Sequence, residues 1–197
     1  MNQNLRTDLK LIYDWIPAGS HVLDLGCGSG ALLQALTAEK QVTGYGVELA
    51  TRKVLAAMER GVNVIQGDLE NGLPAFDTQG FDIVILSLTI QAMKNTENIL
   101  NEMMRVGKQA IVTFPNFGYW KNRLQIMQGH MPVSDEMPHQ WFDTPNIHWC
   151  MLGDFEKLCE KNGIAVLERM VVSEGKRVNF MPNLLGSLAF YRIGKAQ

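Results

Sequence analysis

Apolar residues recur along this chain with two alternating periods, and the alternation sets the expected architecture. Leu5, Leu9, Ile12 and Ile16 fall at helical spacing and Pro17-Ala18-Gly19-Ser20 closes the pattern, which predicts an amphipathic helix and a turn. His21 to Leu25 is a short apolar run ending on glycines, after which Ala31, Leu32, Leu33 and Leu36 return to a helical stripe. The unit repeats, with a strand over 42–49, a helix near 50–60 and a third strand over 62–65. Residues 81–88 form the most hydrophobic strand candidate; a strand apolar on both faces belongs in the buried centre of a sheet, beside the first strand. Ile99, Leu100, Met103 and Met104 mark the next helix, and a strand over 110–114 ends at Pro115.

From 115 to 150 the period is lost in a loop-rich insertion holding Phe117, Trp120, Trp141, Phe142 and Trp149, with one helix near 119–128. Alternation resumes with a helix over 152–161 closed by Asn162-Gly163, a strand over 164–172 and a last strand over 188–193; these two strands are expected to pair antiparallel at the sheet edge. Strand and helix in alternation specify an α/β fold, a mostly parallel sheet with helices on both faces. No internal repeat, low-complexity tract or interdomain linker interrupts the 197 residues, so a single domain over 1–197 is expected.

Composition narrows the function classes without choosing one. Hydrophobic residues at 46% and charged residues at 19% are ordinary for a soluble globular chain. A net charge of -2 supplies no basic field for phosphate backbones or anionic lipid, so neither nucleic acid nor membrane is an expected partner. No stretch reaches the roughly 18 apolar residues that span a bilayer, and no signal-peptide core opens the chain. Cys27, Cys150 and Cys159 fit neither a disulfide framework nor a CxxC motif, which favours a cytoplasmic setting. His21, His130, His139 and His148 form no HxxxH, HxH or HExxH arrangement, and no metal site is expected.

The candidate chemistry begins at Asp24-Leu25-Gly26-Cys27-Gly28-Ser29-Gly30, where small residues sit at a strand-to-helix junction and let backbone approach a ligand closely. Dinucleotide enzymes use GxGxxG here to hold a pyrophosphate; this spacing is GxGxG, with an aspartate two residues before the first glycine. An acidic strand end is a poor neighbour for a pyrophosphate and a good one for the ammonium of an amino-acid-bearing cofactor. Glu48, with Leu49 after it, ends the second strand about 20 residues downstream, where nucleotide-binding folds put a carboxylate on ribose hydroxyls. Gly67-Asp68-Leu69 follows the third strand, where a carboxylate and backbone can read an adenine amino edge and an apolar side chain can cover its face.

These motifs resemble those of the class I S-adenosylmethionine-dependent methyltransferases over about 21–114. The resemblance implies a Rossmann-like three-layer sandwich with a seven-stranded, mostly parallel sheet and an antiparallel edge strand. It also implies S-adenosylmethionine or S-adenosylhomocysteine across the carboxyl ends of the first two strands. By the same resemblance Ser87, Leu88 and Thr89 would lie near the transferable methyl; strand-end hydrogen bonding is the other reading of Ser87 and Thr89. Neither an Asn-Pro-Pro-Tyr tetrapeptide nor a Pro-Cys nucleophile follows that strand, and Ser87-Leu88-Thr89-Ile90 stands there instead. Cys27 has no evident activating base and reads as a small residue packed in the turn. His139 and His148 are candidates for a general base.

Most of the chain also resembles the methionine biosynthesis protein MetW family. Residues 22–33, Phe114-Pro115-Asn116-Phe117-Gly118-Tyr119-Trp120, Met131-Pro132-Val133 and Trp141-Phe142-Asp143-Thr144-Pro145-Asn146-Ile147-His148 carry that resemblance. It implies a role as partner of homoserine O-acyltransferase, required for that enzyme's full activity. The aromatic insertion is then a lid over a methyl acceptor, an anchor for another protein or a cap on its own sheet. Two functions follow: a cofactor-binding accessory protein of the acyltransferase, or an active methyltransferase on a small molecule or a protein side chain. A nucleic-acid methyltransferase is a distant third on charge.

Overall fold

The structure, a computed structural model, describes residues 5–196. The chain divides into two compact units: one runs through Ser87 and adds Asn98–Ile111, and the other takes Leu88–Glu97 and the residues from Val112 onward.

In the first unit α1 (Thr7–Trp15) precedes β1 (His21–Leu25), whose side chains from Val22 onward are all buried. Next come α2 (Ala31–Lys40), β2 (Thr43–Glu48), α3 (Thr51–Glu59), β3 (Val64–Gln66) and β4 (Phe81–Ser87). β1 pairs in parallel with β2 on one side and β4 on the other, and β2 pairs in parallel with β3. The expected neighbour relation of β1 and β4 therefore holds, and the buried run Ile83-Val84-Ile85-Leu86 explains it, because a strand covered on both faces needs apolar residues at every position. α4 (Thr96–Val106) buries Ile99, Leu100, Met103 and Met104, the stripe read from the sequence. Its Arg105 guanidinium donates to the carbonyls of Leu73 and Phe76 and to Glu102, which itself accepts from Leu73 N at 2.8 Å. One cation thus holds a loop that has no ladder of its own.

β5 (Gly107–Pro115) contributes to both units. The second unit adds α5 (Trp120–Met127), α6 (Leu152–Lys161), β6 (Ile164–Ser173), β7 (Lys176–Arg177), α7 (Pro182–Leu185) and β8 (Leu188–Lys195). Phe114, Phe155 and Tyr191 form its aromatic core, with ring centroids 4.7–5.7 Å apart. Such pairs add about 0.5–1.5 kcal/mol each beyond the area they bury.

Strand order in the sheet is β3-β2-β1-β4-β5-β8-β6-β7, an α/β arrangement with β8 antiparallel to β6. There are eight strands against the seven expected. The additional one, β7, is a two-residue strand paired with β6 through a turn in which Glu174 and Gly175 both take positive φ. β8 also lies inside β6, so the sheet ends on β7 rather than on the β6–β8 pair.

Candidate functional site

Parallel pairing aligns the carboxyl ends of β1, β2 and β3, and the residues singled out in the sequence stand there. Asp24 is buried near the end of β1 and Glu48 is buried at the end of β2. Between them Gly26, Gly28 and Gly30 take φ of 73°, 59° and 75°, which side chains seldom tolerate, so the loop requires glycine. A Cβ built on Gly28 would meet nothing within 4 Å, so space stands open over this part of the loop.

The loop is tied to β2 twice. Gly26 N and Cys27 N both donate to the Val47 carbonyl, at 2.8 and 3.1 Å. Glu48 Oε2 accepts from Gly28 N at 3.0 Å while Oε1 accepts from Ala50 N at 2.9 Å. Ser29 is held by Arg60, whose Nη1 donates to Ser29 Oγ at 2.7 Å. Cys27 lies against β2: a Cβ on Gly46 would come within 2.4 Å of Cys27 Sγ, so Gly46 makes room for the thiol. Burial, with the Asp24 and Glu48 charges, pushes that thiol up to about 12, and a thiol so placed is a poor nucleophile at neutral pH. Gly46 gave no motif signal in the sequence; only the spatial pairing with Cys27 explains it.

Burial pushes the Asp24 carboxyl up to about 7, and the neighbouring Glu48 carboxylate adds to the shift. A cationic ligand group beside Asp24 would reverse it by favouring the ionised form. Glu48 keeps one lone pair on each oxygen after its two backbone contacts, enough to receive a diol. Gly67 N donates to the Glu48 carbonyl at 3.1 Å, which brings the end of β3 to the same edge. Asp68 is exposed and accepts from Glu70 N at 3.0 Å; Leu69 after it is buried, and Leu49 is exposed. The donor set fits a ligand carrying an ammonium, a diol and an aromatic base.

Ser87 ends β4 in the first unit, while Leu88 and Thr89 open the second. Leu88 takes φ 50°, in the left-handed region where a branched side chain is strained, and its N–H donates to the carbonyl and Oγ1 of Thr113 at 3.1 Å each. Gln91, which no sequence motif marked, holds this corner. Its Nε2 donates to the Leu88 carbonyl at 2.9 Å, and its own carbonyl accepts from Ile147 N and His148 N at 2.8 and 2.9 Å.

His148 is exposed, with Nε2 3.5 Å from the Lys94 carbonyl; His139 is exposed, 4.0 Å from Asp143. Neither histidine is braced by a buried partner as an oriented base would be. Among the described residues no group of three or more His, Cys, Asp or Glu could hold a metal, and no helix is long and apolar enough to cross a membrane.

The insertion divides into a packed part and an exposed part. Asn116 is fully buried; its Nδ2 donates to the carbonyls of Asn183 and Gly186 and its Oδ1 accepts from Gly118 N. Phe117 packs on Trp149 with centroids 5.0 Å apart, and Tyr119 is buried. This base carries α5 with its polarity reversed: Asn122 is the buried residue, while Trp120, Leu124 and Met127, at i, i+4 and i+7, face solvent. Trp141 and Phe142 are also exposed, at 71% and 70%.

Comparison with known proteins bears on the fold and the family. The chain is similar to a Thermotoga maritima S-adenosylmethionine-dependent methyltransferase (TM-score 0.70, 20% identity, 96% of this chain and 87% of that one). It is similar as well to one from Archaeoglobus fulgidus (TM-score 0.73, 15% identity, 99% and 94%). Identities this low speak for the fold alone, and the fold is that of the class I methyltransferases. A Rhodopirellula baltica protein, the bifunctional methionine biosynthesis protein MetXA/MetW, is 39% identical over 205 aligned residues, covering 95% of this chain. The chain spans 33% of that relative's length. The family model for methionine biosynthesis protein MetW matches residues 6–193, and on that match, with the relative, the chain belongs to the MetW family.

Proposed function

We propose that this protein binds S-adenosylmethionine on the glycine loop and acts as an accessory partner of homoserine O-acyltransferase in methionine synthesis. Asp24 would receive the ammonium of the cofactor and Glu48 its ribose diol. Asp68 and the backbone at Gly67 would read the adenine edge, with Leu69 against its face. Ser87 would lie beside the sulfonium. The bound cofactor would supply an electrophilic methyl group, or serve as a signal of methionine supply.

The observation that carries the accessory role is the reversed polarity of α5. A helix that buries an asparagine and leaves Trp120, Leu124 and Met127 exposed presents an apolar stripe to solvent. We assign that stripe to the acyltransferase, because a relative joins a MetW part to a MetXA part in one chain, and we read MetXA as the acyltransferase. A fusion keeps two modules at high effective concentration, which is useful when they act together. The test is sedimentation of this protein with the matching acyltransferase: a complex is expected, and separate boundaries at micromolar concentration of both would refute the assignment.

A second reading, methyl transfer to a small molecule or a protein side chain, is favoured by the strained Leu88 at the end of β4, since strain of this kind collects at reacting centres. A methylated product formed with S-adenosylmethionine would support it.

A further inference from the structure

A small pocket of about 180 Å³ borders the exposed stripe of α5 and lies wholly within the second unit. Lys121 and Gln125 of α5 line it. Each directly follows a residue of the stripe, Trp120 and Leu124, so the two i, i+4 rows run side by side along the helix. The volume is below the range of small-molecule sites and suits a single side chain.

The charge of the pocket says which side chain. Three carboxylates, Asp135, Glu136 and Glu174, line it against one lysine. Lys121 Nζ is 3.6 Å from Glu174 Oε1, so those two charges offset each other. Asp135 and Glu136 make no ion pair among the described residues, and Asp135 is exposed and Glu136 half-buried. Ser187 Oγ donates to Glu136 Oε1, which fixes that carboxylate at the wall and leaves Oε2 for an incoming donor. Aromatic faces border the same place: Lys121 Nζ lies 5.8 Å from the centre of the Tyr119 ring and 5.9 Å from that of Trp120, so this edge of α5 already holds one cation over π faces. Adjacent carboxylates beside aromatic rings suit a planar guanidinium, which can donate to both acids and stack, better than the point charge of an ammonium.

We propose that this pocket receives an arginine side chain of the protein that covers the α5 stripe. The inference rests on the accessory reading and deepens it: the matching surface of the acyltransferase presents an arginine beside an apolar patch. Apolar anchors on the stripe supply most of the affinity of such an interface, and the charge pair fixes its orientation and speeds its formation.

The experiment has two arms. N-acetylarginine amide is titrated into the full chain at constant ionic strength and followed by amide chemical shifts, with the neutral N-acetylcitrulline amide as a probe of the same shape. Saturable shifts are expected at residues 119–125 and 133–136 with the first and none with the second. Asp135→Asn with Glu136→Gln, which keeps shape and still offers Ser187 an acceptor oxygen, should melt with the wild type and abolish these shifts. In sedimentation with the acyltransferase the same double variant should bind about tenfold more weakly, and its affinity should fall less with added salt; Glu160→Gln, an exposed charge on α6, should change neither. No saturable shift, equal shifts with the citrulline derivative, or a complex indifferent to the double variant would overturn the proposal and leave the accessory role standing. A wild-type protein that binds the arginine derivative in the pocket but forms no complex would overturn the accessory role, and the partner named here with it.

Discussion

Glu48 accepts the Gly28 amide at 3.0 Å, so the carboxylate assigned to a ribose is also the brace of the loop assigned to the rest of the cofactor. Loop shape and ligand recognition are coupled through one side chain. Glu48→Gln places an amide of fixed donor and acceptor ends where both oxygens now accept N–H groups, so one backbone donor loses its partner. The expected outcome is a fall of at least about tenfold in S-adenosylmethionine affinity by calorimetry, with a loss of about 1–3 kcal/mol in stability. Loss of affinity with unchanged stability would separate the two roles.

Asp24 gives the site a pH dependence whose sign is fixed. Its carboxyl is raised from 3.8 to about 7, so between those values the folded chain holds a proton that the unfolded chain has lost. Stability of the free protein should therefore fall as pH rises through that window and level off above it. Binding an ammonium favours the ionised carboxylate, so affinity for S-adenosylmethionine should rise from pH 5.5 to 7, by at most about tenfold per pH unit, with release of a proton on binding. Calorimetry in two buffers of different ionisation enthalpy measures that proton. Asp24→Asn should bind weakly and show no such slope.

Cys27 and Gly46 are a packing pair. Gly46→Ala drives a Cβ to 2.4 Å from Cys27 Sγ and should cost about 1–3 kcal/mol in chemical denaturation. Cys27→Ala removes the thiol that the new Cβ meets most closely, so the double variant should recover part of the loss. Cys27→Ala alone should keep cofactor binding, and the thiol, pushed up to about 12, should alkylate slowly at pH 7.5 in the folded protein.

The α5 stripe can be tested without touching the loop. Leu124→Glu with Met127→Glu alters two exposed positions, so stability should change by no more than about 0.5 kcal/mol per site and cofactor affinity should not change. Co-sedimentation with the acyltransferase should be lost. Retained association would move the partner surface away from α5.

Much of the strand edge assigned to the cofactor could be read from sequence because it depends on local rules. Glycines at a strand end, an acid one strand on and another after the third strand are fixed by chain order in a parallel sheet, and Asp24, Glu48 and Asp68 stand where that order puts them. What could not be read depends on contacts remote in sequence. Gln91 stands in no motif, yet it accepts from Ile147 and His148, more than fifty residues away, and holds Leu88. β7 has only two residues and no period. Lid, anchor and cap are all open readings of the insertion in the sequence; which side of α5 is buried depends on Asn122, whose Nδ2 donates to the Asn116 and Phe117 carbonyls, and no periodicity encodes that.

The decisive measurement is the rate of homoserine O-acylation by the matching acyltransferase, alone and with this protein, across a titration of S-adenosylmethionine. A higher rate is expected with the protein present, with a response to S-adenosylmethionine that Glu48→Gln shifts to higher concentration. An unchanged rate at every cofactor concentration, with the protein folded and in excess, would contradict the accessory role.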